Sequence, residues 1–193
     1  MSRFRLSTLP ATVFPQQADP RLIVDSEHFR AIVQDGMLKA KTSIDIMTAD
    51  FKALLVPVAG SRRAKSIVYY FRALAEKGVE IRILHAGTPS AAALVELKRE
   101  LPTNLTIRRC PRLHSKAVII DSKSMYLGSA NLTGAGLGAK ADGRRNFELG
   151  IWTESSSLID SVSGEFNQLW EGQQCDSCKR KDICPAPIEE PEL

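Results

Sequence analysis

The sequence predicts an α/β fold in which a mixed β-sheet lies between helical layers. Two observations carry that expectation: segments with helical spacing of apolar residues alternate with short β-prone runs between residues 28 and 170, and Gly or Pro marks several of the joins between them. A chain of 193 residues with 44% hydrophobic and 25% charged side chains fits one domain that buries its core without disulfide staples.

The first nineteen residues, broken by Pro10 and Pro15, read as an N-terminal extension (1–19) without the apolar run of a signal peptide. No uncharged apolar stretch approaches the ~18 residues that span a bilayer. The expectation is a cytoplasmic protein with no membrane partner.

The domain proper is expected over residues 20–172. HFRAIVQDGMLKA (28–40) has helical spacing and leads into the strand-like SIDIMTAD (43–50). Residues 65–77 repeat the helical pattern, Gly78 ends it, and VEIRILHAG (79–87) reads as a buried strand. SAAALVELKREL (90–101) predicts the next helix, Pro102 and Asn104 punctuate, and LTIRRC (105–110) predicts another strand. HSKAVIID (114–121) and SMYLGSAN (124–131) follow as successive strands. A Gly-rich, basic loop (134–145), a strand in NFELGIWTE (146–154) and a helix over 156–170 complete the domain. Residues 173–193 form a separate Cys-rich tail.

Charge is unevenly spread. The net charge is only +4, but residues 51–150 hold 17 Lys or Arg against 7 Asp or Glu, and residues 151–193 hold 3 against 9. A basic middle attracts polyanions and can release counterions from phosphates. Nucleic acid is the natural candidate, against solvated helix faces as the plain alternative.

The chemistry-bearing segment is HSKAVIIDSKSMYLGSAN, in which His114, Lys116, Asp121, Gly128, Ser129 and Asn131 form H-x-K-x4-D-x6-G-S-x-N. Six fixed positions arise by chance in a chain this long about once in 10⁵–10⁶ sequences, at roughly one in twenty per residue. Read as a strand, the segment puts His114 and Lys116 on one face two residues apart, within reach of one phosphate. The apolar run from Ala117 to Ile120 would anchor them rigidly. Splitting a phosphodiester requires a nucleophile, an acid for the leaving oxygen and donors for the other oxygens, and His, Lys, Ser and Asn cover these roles.

This pattern resembles the phospholipase D superfamily over residues 20–170 or so, especially its small single-motif bacterial endonucleases. The resemblance implies a phospholipase D-like mixed sheet between helices and catalysis without a metal. It implies that His114 attacks phosphorus to form a phosphohistidine while the His of a second motif protonates the leaving group. Lys116 and Asn131 would hold phosphate oxygens with help from Ser129, and Glu148, near Asn146, would orient the ring; Asp142 competes for that last role. Asp121 would be structural. No second H-x-K occurs, since Phe29 and Arg30 follow His28, and Ala86 and Gly87 follow His85. A complete site therefore implies a homodimer that brings two copies of His114 together. Outside any motif, His28 and His85 read as satisfied core histidines. Lys123, Lys140, Arg144, Arg145 and Asn146 are candidate nucleic-acid contacts, or solvated loop residues.

Cys175, Cys178 and Cys184 form C-x2-C-x5-C, and Cys110 makes a fourth thiol. With no export signal, this clustering favours metal over disulfides. The four could hold zinc or an iron–sulfur cluster, or remain reduced thiols. The tail, with Pro185 after it, is similar to the C-terminal cysteine cluster of RecB-type iron–sulfur nucleases, which implies a structural cluster.

The functions that compete are a metal-independent nuclease, with DNA favoured over RNA; a phospholipase or phosphatidyltransferase; and a nucleic-acid-binding component of a bacterial modification or defence system that acts with partner proteins.

Overall fold

A seven-stranded mixed sheet with helices on both faces organises the chain. The computed structural model describes residues 20–58, 60–97 and 100–184. The expected extension over 1–19 and the end of the tail, Pro185 included, lie outside the described residues. The strands are β1 (Arg21–Val24), β2 (Ser43–Thr48), β3 (Leu55–Pro57), β4 (Ala64–Ser66), β5 (Glu80–His85), β6 (Leu105–Arg109), β7 (Ala117–Ile120), β8 (Ser124–Gly128) and β9 (Leu149–Thr153). The α-helices are α1 (Ile67–Ala75), α2 (Ala91–Leu97) and α3 (Ser156–Trp170).

The sheet runs β1-β9-β8-β7-β2-β5-β6, and β3 pairs with β4 as a separate ribbon. β2, β5 and β6 are parallel, and the β7, β8, β9 and β1 pairings are antiparallel. This is the expected α/β sandwich. On one face Ile44, Ile46, Ile81, Ile83, Val118 and Ile120 pack with Val68 and Phe71 of α1. On the other, Met47, Leu84 and Ala117 meet Phe166 and Trp170 of α3, and Ile119 and Met125 meet Ile159. All four residues of β7 are therefore buried.

An ion pair secures the α3 face. Asp45 and Arg82 are opposite each other in the β2–β5 register, joined at 2.7 and 2.8 Å by both arms of the guanidinium. The same guanidinium lies 4.8 Å from the Phe166 ring centre.

The sequence expectations fail locally for identifiable reasons. The helix expected over 28–40 is a π-helical turn (Phe29–Gln34) and a 3-10 turn (Met37–Lys39). Gly36 separates them, where a Cβ would stand 2.6 Å from the Ile32 carbonyl and 2.7 Å from Ile120 Cδ1. The helix expected from residue 65 begins at Ile67, because Ala64–Ser66 pairs with β3. Ser66 caps it by accepting from Val68 N at 3.2 Å. β1 and the β3–β4 ribbon were not anticipated: their apolar runs are too short to show a period.

Asp121 and Ser122, with φ of 54° and 53°, make the tight turn between β7 and β8. The Asp121 carboxylate accepts from the backbone of Lys41, Thr42 and Ser43 at 2.7–3.1 Å and from the Thr42 hydroxyl at 3.0 Å. Burial raises its pKa, but these donors outweigh burial and hold it below the ordinary carboxylate value. Its contribution to stability is thus present at neutral pH and is lost as pH falls through that depressed value. Asp121→Ala should cost about 2 kcal/mol by stranding these donors. Urea midpoints should show the gap to wild type narrowing in acid.

Candidate active site

The sheet register gathers strand ends along one edge. Thr48 pairs with His85 and His85 with Arg109, while Gly128 pairs with Gly150. Lys116 lies one residue before β7 and keeps one ladder bond, its carbonyl accepting from Gly128 N at 3.2 Å. His114 lies outside the ladder altogether. The expected strand is therefore shorter than 114–121, and alternation along a strand does not align the two side chains. The reach of the lysine does so instead: its Nζ stands 3.2 and 3.3 Å from the two ring nitrogens of His114 and donates to the His114 carbonyl at 2.7 Å. Lys116 is 9% exposed, whereas the imidazole is open to solvent. Such a pair offers a nucleophile and a positive charge to one phosphate.

Ser129 follows Gly128 on the same edge. Its hydroxyl donates to Glu148 Oε2 and accepts from Leu149 N at 3.1 Å. Asn146 Nδ2 donates to Glu148 Oε1 at 2.9 Å. Glu148 is buried, and two bonds with Asp25 hold its backbone, Glu148 N donating to the Asp25 carboxylate Oδ1 at 2.9 Å and Asp25 N to the Glu148 carbonyl at 3.0 Å. Asp142, the competing carboxylate, is exposed and ion-paired with Arg145. Asn131 Oδ1 accepts from Ala49 N and Asp50 N at 3.0 Å each and from the Thr48 hydroxyl at 3.3 Å. These bonds use only the amide oxygen and anchor the side chain to the end of β2.

Two expected site residues lie elsewhere. Asp121 and Lys123 belong to the β7–β8 turn, at the opposite end of β7 from Lys116. At ~3.3 Å per residue the strand separates them from the edge by more than 10 Å. Lys140 and Arg144 are exposed in the 134–145 loop, and Arg145 is occupied by Asp142.

Residues 33–170 match the family model described as cardiolipin synthase, PLD-like domain. The chain belongs to this phospholipase D-like family. Among solved structures, NucT from Helicobacter pylori aligns with a TM-score of 0.59 at 18% identity, over 79% of this chain and 96% of its own. Nuc from Salmonella typhimurium, a phospholipase D family member, aligns with a TM-score of 0.59 at 22% identity, over 79% and 95%. TrmBL2, an archaeal chromatin protein, aligns with a TM-score of 0.50 at 14% identity, over 79% of this chain and 52% of its own. No curated protein sequence matches this one.

This phospholipase D-like chain also braces the motif through residues outside it: His28, expected as a satisfied core histidine, is one, and Tyr126 is its unexpected partner. His28 is fully buried. Its Nδ1 lies 2.8 Å from the Asp25 carbonyl, which can only accept, so Nδ1 donates and Nε2 is left to accept from the Tyr126 hydroxyl at 3.0 Å. That hydroxyl in turn accepts from Ala130 N at 3.1 Å. Burial lowers the His28 pKa and pushes that of Tyr126 up to about 12, which keeps both neutral. A core histidine is thereby bonded to the backbone between Ser129 and Asn131. The available signal was the paired glycines: a Cβ on Gly150 would stand 2.2 Å from Tyr126 Cε2, and one on Gly128 2.4 Å from its hydroxyl. His85 is buried with Nδ1 bonded to the Gly87 carbonyl at 2.7 Å, but contrary to the expectation of a fully satisfied core histidine its Nε2 has no partner among the described residues.

Cys110, Cys175, Cys178 and Cys184 line one cavity of about 250 Å³, whose wall also includes Arg112, His114 and Ser115. Each cysteine is half-buried and none is in a disulfide. Burial raises the Cys175 thiol pKa, and the proximity of Cys110, Cys184 and Cys178 raises it further. Among the described residues, no group of three or more His, Cys, Asp or Glu stands close enough together to hold a single metal ion.

Gly150→Ala should cost about 2–3 kcal/mol by displacing Tyr126. Gly164→Ala, in α3 with open space around it, should instead stabilise by about 0.5–1 kcal/mol. Thermal melts of the two variants check the contrast.

Proposed function

We propose that the chain is a metal-independent phosphodiesterase that cleaves nucleic acid, DNA in preference to RNA, through a phosphohistidine on His114. The observation that carries this reading is the contact between the buried Lys116 ammonium and the exposed His114 ring. His114 attacks phosphorus; the phosphorus–nitrogen bond forms as the bond to the leaving oxygen breaks, and His114 of a second chain supplies that oxygen's proton. Water then attacks phosphorus, giving a proton back to the second His114, and the phosphorus–nitrogen bond breaks to free the imidazole. Lys116, Ser129 and the Asn131 amino group hold the non-bridging oxygens, and Glu148 positions Ser129 and Asn146. The basic residues of 51–150, with Lys140 and Arg144 exposed in the loop before Asn146, attract the polyanion.

The single motif requires a second copy, and an apolar strip supports one. α3 covers the middle of its sheet face, but at the β1–β9 edge Leu22 and Leu149 are 60% and 59% exposed, and Phe147 beside Glu148 is 96% exposed. Apolar side chains flanking a site carboxylate suit an isologous interface. The names of two structural relatives, Nuc and NucT, accord with nuclease activity.

Two other readings have specific support. TrmBL2 is described as binding DNA in a novel mode, which favours binding without cleavage. The family description names cardiolipin synthase, which favours lipid chemistry, although no helix among the described residues is long and apolar enough to cross a membrane.

The deciding experiment is cleavage of DNA and RNA panels in EDTA. Wild type should cut, and His114→Ala should lose activity by about 10³-fold or more; equal cutting by the variant would remove the mechanism. Salt-dependent binding without cutting would favour the binding reading, and hydrolysis of phospholipid vesicles the lipid one. Phe147→Asp should convert a dimer to a monomer by light scattering and lose activity together with it. A fully active monomer would refute the shared site.

A further inference from the structure

The reacting ring borders a cavity that the phosphoryl steps leave unused. It lies between the loop after β6 and the tail after α3, and the exposed His114 and Ser115 form part of its wall. A diester held by His114 and Lys116 carries a substituent on each bridging oxygen, and the space against the ring is open to one of them. The two walls are tied together. The Arg180 backbone and the Arg112 guanidinium both bond the Cys178 sulfur and hold that thiol's pKa below its ordinary value. The Arg180 carbonyl accepts from Ile183 N at 3.3 Å and from Cys184 N at 3.0 Å. These bonds use the backbone of Arg180, while the residue itself is exposed.

Size and wall chemistry select the occupant. The volume of about 250 Å³ is many times the ~15 Å³ that admits one water, so the cavity takes a ring system rather than a lone oxyanion. Leu113 and Leu169 give it apolar surface, and the side-chain amides of Gln168 and Gln174 can each donate and accept. That combination suits a nucleobase, which pairs flat apolar faces with a polar edge. Arg112, Arg180 and Lys181 outnumber Glu165 on the same wall, and their positive charge suits a further phosphate of the strand.

We propose that this cavity is a nucleoside subsite, which takes the sugar and base beside the bond that His114 cleaves and meets the next phosphate with Arg112, Arg180 and Lys181. The subsite rests on the phosphodiesterase reading of His114 and gives the tail a role in it: selecting nucleotide esters over other phosphodiesters. Binding energy gathered away from the reacting atoms then raises kcat/KM for nucleotides alone.

The test compares the two isomeric thymidine para-nitrophenyl phosphates with bis(para-nitrophenyl) phosphate, which has no nucleoside, using the full chain. Wild type should favour one thymidine ester by about tenfold or more in kcat/KM. Arg180→Ala combined with Lys181→Ala keeps the backbone groups that shape the tail, and Gln168→Trp fills the cavity from α3; each should reduce that preference ratio by about tenfold. Circular dichroism melts confirm that the variants fold. Calorimetric binding of a thymidine dinucleotide gives a second readout that needs no turnover. If wild type splits no ester but binds the dinucleotide, and the variants lose that binding, the phosphodiesterase reading fails and the subsite stands. Equal kcat/KM for all three esters in wild type, or a preference retained in folded variants, would overturn it. So would no binding of the dinucleotide, or binding of inorganic phosphate or glycerophosphoglycerol as tight as that of the dinucleotide.

Discussion

The burial of β7 on both faces is the constraint from which the rest of the site follows. Ala117–Ile120 presents alternate side chains to the two helical layers, so no residue of the strand is free for chemistry. Polar residues of the motif must lie beyond its ends. One end carries Lys116 and His114, the other Asp121. A strand packed on both sides slides and tilts little, because any shift opens voids in two layers at once. The position of Lys116 is then set by the core rather than by its own contacts, and its buried stem delivers the ammonium to a ring that is itself exposed.

The neighbouring strand extends this logic. β8 ends at Gly128, and the turn that follows supplies Ser129 and Asn131. Tyr126 braces that turn from below through its hydroxyl, which bonds both His28 and Ala130 N. Two glycines on adjacent strands leave the room the ring needs. A polar network in a low-dielectric core stabilises one geometry only when every member is satisfied. Here the tautomer of His28 is dictated by a carbonyl, and the direction of the tyrosine hydroxyl is dictated by His28. The chain of dependence thus runs from β1's turn at Asp25 to the serine and asparagine on the edge.

Much of this was legible in the residues. The helix at 156–170 was read correctly because its fifteen residues hold a long apolar period with no internal breaker strong enough to end it. The motif was legible because its residue types are rare in combination. Lys123 was grouped with the motif's edge, with a solvated loop charge as the alternative, because it follows Asp121 closely in sequence, and sequence proximity within a motif suggests spatial proximity. An extended chain defeats that inference: the few residues of β7 carry its ends far apart. The His114–Lys116 geometry was expected for the wrong reason, since neither lies within β7; the lysine's length achieves what alternation was expected to do. His28 was invisible as a support because nothing in its own neighbourhood marks a contact with Tyr126, ninety-eight positions away.

The placement of the cysteine tail is a consequence of how α3 docks. Arg108 lies 4.7 Å from the Trp170 ring centre and donates to the Trp170 carbonyl at 2.9 Å, while Arg82 stacks on Phe166 one turn earlier. The first contact satisfies one of the carbonyls left open at a helix C-terminus, and both fix the exit direction of the chain. Gly172, at φ 70°, then turns the chain back toward the sheet. The tail reaches the loop after β6 by this route, and the loop after β6 is the one that leads into His114. The arginines that orient α3 therefore lie on β5 and β6, the same strands whose ends border the active edge. The cavity between tail and loop is placed by the sheet, as Lys116 is by β7, and His114 and Ser115 share its wall.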